Sequence, residues 1–131
     1  LWGKAETHMA NLEAIELKPF IPARDFDLSK RFYSDLGFTL AWSDSDLACF
    51  RVSEAAFLLQ NFYVAELAGN LMIHLLVKDA ASWRDHAQAA VAAKYGIEVS
   101  PLELRPWGIR DFFFPDPSGV LWRIGENVSH A

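Results

Sequence analysis

The side chains able to ligate a metal ion or move a proton are four histidines, one cysteine and seventeen carboxylates. A divalent ion needs about three convergent nitrogen or oxygen donors with positions left open for substrate. His8 stands directly before Met9 in a stretch without periodicity, so residues 1–8 read as a vector-derived or disordered segment. His130 falls in the polar tail 127–131, and His86 sits beside Arg84 and Asp85 on the polar face of a predicted helix. His74 remains, inside an apolar run, where a cavity-lining or hydrogen-bonded imidazole is a more economical reading than a metal ligand. Asp44 and Asp46 are a carboxylate pair in a solvated turn. Cys49, between Ala48 and Phe50, has no adjacent His or Lys to make a thiolate and reads as a buried thiol. Gly-rich phosphate loops, Gly-x-Ser-x-Gly elbows and Cys-His nucleophile motifs do not occur.

The stronger chemical signal is aromatic. Arg105 to Glu126 reads RPWGIRDFFFPDPSGVLWRIGE, in which Asp111 to Phe114 suits a strand and Asp116-Pro117-Ser118-Gly119 a turn. Val120 to Ile124 resumes as a second strand, and Trp107-Gly108 forms a lip before the hairpin. A hydrophobic fraction of 52% with five tryptophans implies aromatics that line a surface as well as fill a core. The net charge of −5 disfavours nucleic acid and anionic membranes as partners and favours a cationic small ligand. No apolar run reaches the roughly 18 residues of a membrane helix, and a lone cysteine suits a reducing, cytoplasmic setting.

The elements that must position these side chains fit one domain of 131 residues. Ala14 to Ala23 alternates and carries two prolines, as an edge strand does. Asp25 or Asp27 caps a helix over Leu28 to Leu36, closed by Gly37. Strands follow over Phe38 to Trp42, Leu47 to Val52 and Ala56 to Gln60, then a long connection from Asn61 to Asn70. Leu71 to Val77 is a strand, Asp79 caps an Ala-rich helix to Tyr95 with Gly96 beyond it, and Ile97 to Leu104 is an irregular strand.

The order strand, helix, three strands occurs twice, over modules of about 12–64 and 68–127. Ala23-Arg24-Asp25 and Leu36-Gly37-Phe38 of the first match Val77-Lys78-Asp79 and Tyr95-Gly96-Ile97 of the second. The architecture is α+β, two tandem βαβββ modules forming a curved mixed sheet around a cavity, where a ligand would lie.

This repeat, with Ser29-Lys30-Arg31-Phe32-Tyr33 before Leu36-Gly37-Phe38 and Trp107-Gly108 before Asp116-Pro117-Ser118-Gly119, resembles the glyoxalase/bleomycin resistance/dioxygenase superfamily, also called vicinal oxygen chelate. The family includes metal-dependent lyases, dioxygenases and resistance enzymes, and metal-free proteins that sequester antibiotics. Its metal-ligand positions fall here on Lys18, Gln60, Met72 and Arg123, none of them the expected His or Glu. The resemblance therefore implies a metal-free, cofactor-free binding protein of the bleomycin-resistance type, a homodimer with an aromatic, cationic ligand in an aromatic crevice. The alternative is a metal-dependent lyase, transferase or dioxygenase using His74 and a divalent ion. Counting from Gly119 places Leu121 and Arg123 on the cavity side and Trp122 in the core, and the family geometry adds Asp111 and Phe113. Trp107 is the expected stacking residue, with Trp42, Phe50, Phe62 and Tyr63 on an opposite wall and His74 and Gln60 as polar markers.

Overall fold

The structure, a computed structural model, describes residues 10–128, so His8 and His130 lie outside it. The first module runs β1 (Phe20–Pro22), α1 (Phe26–Leu36), β2 (Thr39–Ser43), β3 (Leu47–Val52) and β4 (Ala55–Gln60). A short helix α2 (Ala65–Asn70) then leads to β5 (Met72–Leu76), and α3 starts at Ala80–Ala87. The chain closes with β6 (Glu103–Leu104), β7 (Ile109–Pro115) and β8 (Leu121–Asn127). The strands form two four-stranded sheets, ordered β1-β4-β3-β2 and β5-β8-β7-β6, with the first strand of each module parallel to its last.

Local chemistry sets these boundaries. Asp25 accepts the Leu28 amide at 3.1 Å and Asp79 the Ser82 amide at 3.0 Å, satisfying donors that a helix start leaves free. Gly37 takes φ 118° and lets its own and the Phe38 amide return to Ser34 and Tyr33. α3 widens into a π turn over Gln88–Ala92 before ending at Tyr95. There Tyr95 Oη and Lys94 Nζ both reach Asp35 of α1, at 2.6 and 2.7 Å.

Two expected strands are shorter than their patterns suggest. Of Ala14 to Ala23 only Phe20–Pro22 joins a ladder; Glu16 is instead tied by its side chain to Lys18 and to both terminal nitrogens of Arg51. Of Ile97 to Leu104 only Glu103–Leu104 pairs as a strand. Pro101 removes a ladder donor, and the Ser100 hydroxyl accepts the Phe113 amide at 2.8 Å. The long connection after Asn61 also contains the helix α2.

One core lies between the inner faces of the two sheets and the helices α1 and α3. Tyr33 of α1 sits at its centre, edge-on to Phe57 at 4.7 Å and tilted against Trp122 at 5.6 Å, while Phe57 and Trp122 meet across the sheets at 5.5 Å. Its hydroxyl accepts from Trp122 Nε1 at 2.9 Å and donates to the buried carboxylate of Asp116. Asp116 also accepts the amides of Ser118 and Val120, so the turn between β7 and β8 is fastened to α1 from within. The inner faces of the sheets are thereby used up on each other. The opposite, outer faces of the sheets carry exposed apolar side chains, among them Phe20, Trp42, Met72 and Phe113.

Candidate functional site

Strand pairing decides which side chains reach the outer faces, because residues opposite each other in neighbouring strands share a face. On the second sheet His74, Arg123 and Phe113 form one row, and Met72, Leu121 and Pro115 another. A third row runs Leu76, Gly125, Asp111 and Glu103. The expected alternation holds here: Val120, Trp122 and Ile124 are buried in the core, while Leu121 and Arg123 face outward. The structure thus brings together His74, Arg123, Phe113 and Asp111. Trp107, in the lip before β7, is 69% exposed.

Charge on this face is arranged around Asp111, which is only 2% exposed. Arg105 Nε donates to its Oδ1 at 2.7 Å, and Arg123 Nη1 lies 3.3 Å from its Oδ2. Arg105 also pairs with Glu103 at 3.0 Å, and its Nη2 is buried without a partner among the described residues. The bond to Asp111 pushes the Arg105 guanidinium above its already high ordinary value, so it stays charged at any working pH. Arg123 lies over the Phe113 ring, 5.0 Å from its centroid, and extends that ring with a second planar group.

Gly125 makes this packing possible. A Cβ there would lie 2.8 Å from Ile109 Cγ2 and 3.0 Å from Asp111 Cβ, closer than real side chains come. Gly125→Ala is therefore expected to destabilise the fold by about 1–3 kcal/mol through overpacking beside Asp111, read as a lower urea midpoint.

On the first sheet Phe20, Leu58, Cys49 and Trp42 share the outer row, with Gln60 and Leu47 beside it. Trp42 and Phe20 are about half exposed, and Cys49 is buried. Phe50 corrects the expected wall: it is fully buried on the inner face, stacked on Phe57 at 5.6 Å, because alternation sends it opposite to Cys49. Phe62 is half exposed just beyond β4, and Tyr63 packs beneath the Arg24 guanidinium at 5.8 Å, so neither stands on a strand of the sheet. Glu126 of β8 accepts the Ala80 amide at 3.2 Å and helps cap α3.

The family-derived ligand positions carry other chemistry. Lys18 pairs with Glu16 at 3.2 Å, Met72 is an exposed thioether, and Arg123 is engaged with Asp111. His74 stands in the same row as Arg123, a cation opposing any metal at that imidazole. Among the described residues no three His, Cys, Asp or Glu side chains converge, so the donor set does not fit a divalent ion.

Two residues of this face carry no motif in the sequence. Arg105 and Gly125 are found only through their partner Asp111, although an arginine six positions before an aspartate, across a Trp-Gly turn, is a spacing that a hairpin lip brings together. The N-terminal arm is a third such feature: Leu12, Ile15 and Leu17 are almost wholly exposed on a segment outside the strand ladders that is tied to β3 through Glu16 and Arg51.

Comparison with known proteins agrees with this architecture. Among solved structures the chain is similar to a bleomycin-binding protein complexed with bleomycin, at TM-score 0.74 and 23% identity, over 87% of this chain and 99% of that one. It is also similar to TnmS3, an antibiotic binding protein from Streptomyces sp. CB03234, at TM-score 0.70 and 21% identity over 92% and 99%. A lactoylglutathione lyase from Agrobacterium tumefaciens matches at TM-score 0.66 and 17% identity, over 87% and 95%. Comparison with curated protein sequences gives no match. Over residues 10–124 the sequence matches the family description Glyoxalase/Bleomycin resistance protein/Dioxygenase superfamily, and the chain belongs to that superfamily.

Proposed function

We propose that this protein binds a small aromatic molecule by sequestration, without metal and without making or breaking a bond. The observation that carries the reading is the second sheet's outer face, where the Arg123 guanidinium lies on a 36% exposed Phe113 ring. A flat ligand finds there a ready stacking surface, with Trp107 available from the lip. Antibiotic-binding proteins among the structural neighbours support the same class of activity. The preference for a cationic ligand rests on the whole-molecule charge of −5, since Asp111 is already compensated by two guanidinium groups.

The working unit in this reading is a homodimer. Exposed Phe20, Trp42, Met72, Leu76 and Phe113, with the arm residues Leu12 and Ile15, make outer faces more apolar than a free surface. A second copy would bring the first sheet of one chain over the second sheet of the other and enclose the crevice. Sedimentation equilibrium tests this, and a monomer at micromolar concentration refutes it.

Titration with bleomycin, followed by tryptophan fluorescence, tests the binding itself. Trp107→Ala is expected to weaken binding by about 1–3 kcal/mol while leaving the melting temperature unchanged, because the side chain is exposed. Unchanged affinity would remove Trp107 from the site. Calorimetric titration with zinc, manganese, nickel and ferrous iron should show no specific binding; tight stoichiometric binding abolished in His74→Ala would overturn the metal-free reading.

A further inference from the structure

A cavity opens between the turn joining β3 to β4 and the start of α3, and the internal repeat relates it to the opposite end of the molecule. Arg24 and Lys78 each precede a helix-capping aspartate, Asp25 and Asp79, at the start of the two long helices. At the first helix the turn of the opposite module closes the space: the Arg24 amide donates to Ser118 Oγ at 2.9 Å, its guanidinium reaches the Pro117 carbonyl at 3.4 Å, and Ser29 Oγ meets Ser118 Oγ at 3.5 Å.

At the second helix the equivalent space is open. The matching turn is one residue shorter, Ser53-Glu54 between the paired Val52 and Ala55, against Pro117-Ser118-Gly119 between Asp116 and Val120. Val52 stands where Asp116 stands in the other half. Ala87 follows Asp79 by eight residues as Tyr33 follows Asp25, so the buried tyrosine–carboxylate pair of the first helix has no counterpart here. Trp83 follows Asp79 by four residues as Ser29 follows Asp25, so an indole replaces the small hydroxyl of the latch. The space here is a cavity of about 680 Å³, walled by Val52, Ala55, Leu75, Leu76, Val77 and Trp83, with the exposed Glu54 and Lys78 also in its lining. That volume falls within the range of small-molecule sites, roughly 300–1,000 Å³. Among the described residues neither Glu54 nor Lys78 has an ion-pair partner, and the Lys78 amide, unlike that of Arg24, has no hydrogen-bond acceptor.

We propose that this cavity is a second binding site, distinct from the Arg123–Phe113 stack, for a small aromatic zwitterion of the aromatic amino-acid kind. Its ring lies against Trp83 and the aliphatic wall. Its carboxylate takes the acceptor role that Ser118 Oγ has in the other half, at the Lys78 amide and ammonium, and its amine meets Glu54.

Calorimetric titration of the whole protein with L-phenylalanine, 2-phenylethylamine and 3-phenylpropionate tests this directly. Phenylalanine is expected to bind saturably, and each congener, lacking one charge, about tenfold or more weakly. Lys78→Met should weaken phenylalanine and phenylpropionate but spare phenylethylamine, and Glu54→Gln should do the converse. Both residues are exposed, so both variants should fold. Val52→Trp, which refills the space, should abolish phenylalanine binding while leaving the bleomycin response of the outer faces intact. No saturable binding up to millimolar concentration, equal binding of all three probes, or binding undiminished in both charge variants would overturn the proposal. None of these results depends on whether the outer faces bind an antibiotic.

Discussion

Asp116→Ala is expected to lower stability by about 3–5 kcal/mol in urea unfolding, enough to leave a domain of this size marginal. The carboxylate is 3% exposed and accepts from the Tyr33 hydroxyl and the amides of Ser118 and Val120. Alanine leaves all three donors buried without partners, each at roughly 1–3 kcal/mol. The loss then spreads, since Tyr33 Oη also orients the indole of Trp122 and the turn itself holds the start of α1 through Ser118. Burial, outweighing the bonds it accepts, raises the Asp116 carboxyl above its ordinary value. An acid whose folded value is raised holds its proton more tightly folded than unfolded. Its contribution is full below the ordinary aspartate range and is lost as pH rises through the raised folded value. Stability contributed by this group should therefore fall as pH rises from the ordinary aspartate range through the raised folded value, and Asp116→Asn, which does not titrate, should flatten that slope in urea midpoints. An Asp116→Ala variant within about 1 kcal/mol of the parent would show that water replaces the carboxylate in the turn.

Much of this arrangement is written locally in the chain. Asp25 and Asp79 mark helix starts because a short acceptor side chain there has free amides to satisfy, and Gly37 and Gly96 mark helix ends because the chain turns through positive φ. The alternation counted from Gly119 separates outward Leu121 and Arg123 from buried Trp122. What escaped local reading was phase and distance. In β3 every residue is apolar except Arg51, so alternation alone could not say whether Cys49 or Phe50 faces the core; pairing with Phe57 on β4 decides it. Likewise the βαβββ pattern specifies two sheets with helices, but the direction in which their free faces look depends on Tyr33, Phe57 and Trp122 meeting between modules. The Arg105–Asp111 pair needed a hairpin lip of known shape before six residues became 2.7 Å.

Asp111 offers the sharpest test of the outer face, because its neighbours make opposite outcomes accessible by choice of variant. Asp111→Ala leaves two guanidinium groups facing each other, one of them with a nitrogen already buried and unpartnered, and is expected to destabilise by about 3–5 kcal/mol. The aspartate is worth far less than that when its principal partner leaves with it. Replacing the pair together, Asp111→Leu with Arg105→Met, removes the buried carboxylate and its shorter-range cation and fills the same space with apolar atoms, so stability should return to within about 1–2 kcal/mol of the parent. Closed with the two matching single variants, Asp111→Leu and Arg105→Met, the double-mutant cycle would then give a coupling of several kcal/mol, measured as the difference in urea midpoints multiplied by a common m-value. Additive losses would instead mean that Arg123 alone holds Asp111. Because the double variant also releases Arg123 from the carboxylate, its bleomycin titration asks a separate question. Retained affinity assigns recognition to the Arg123–Phe113 stack, and lost affinity assigns it to the fixed position that Asp111 imposes on the guanidinium.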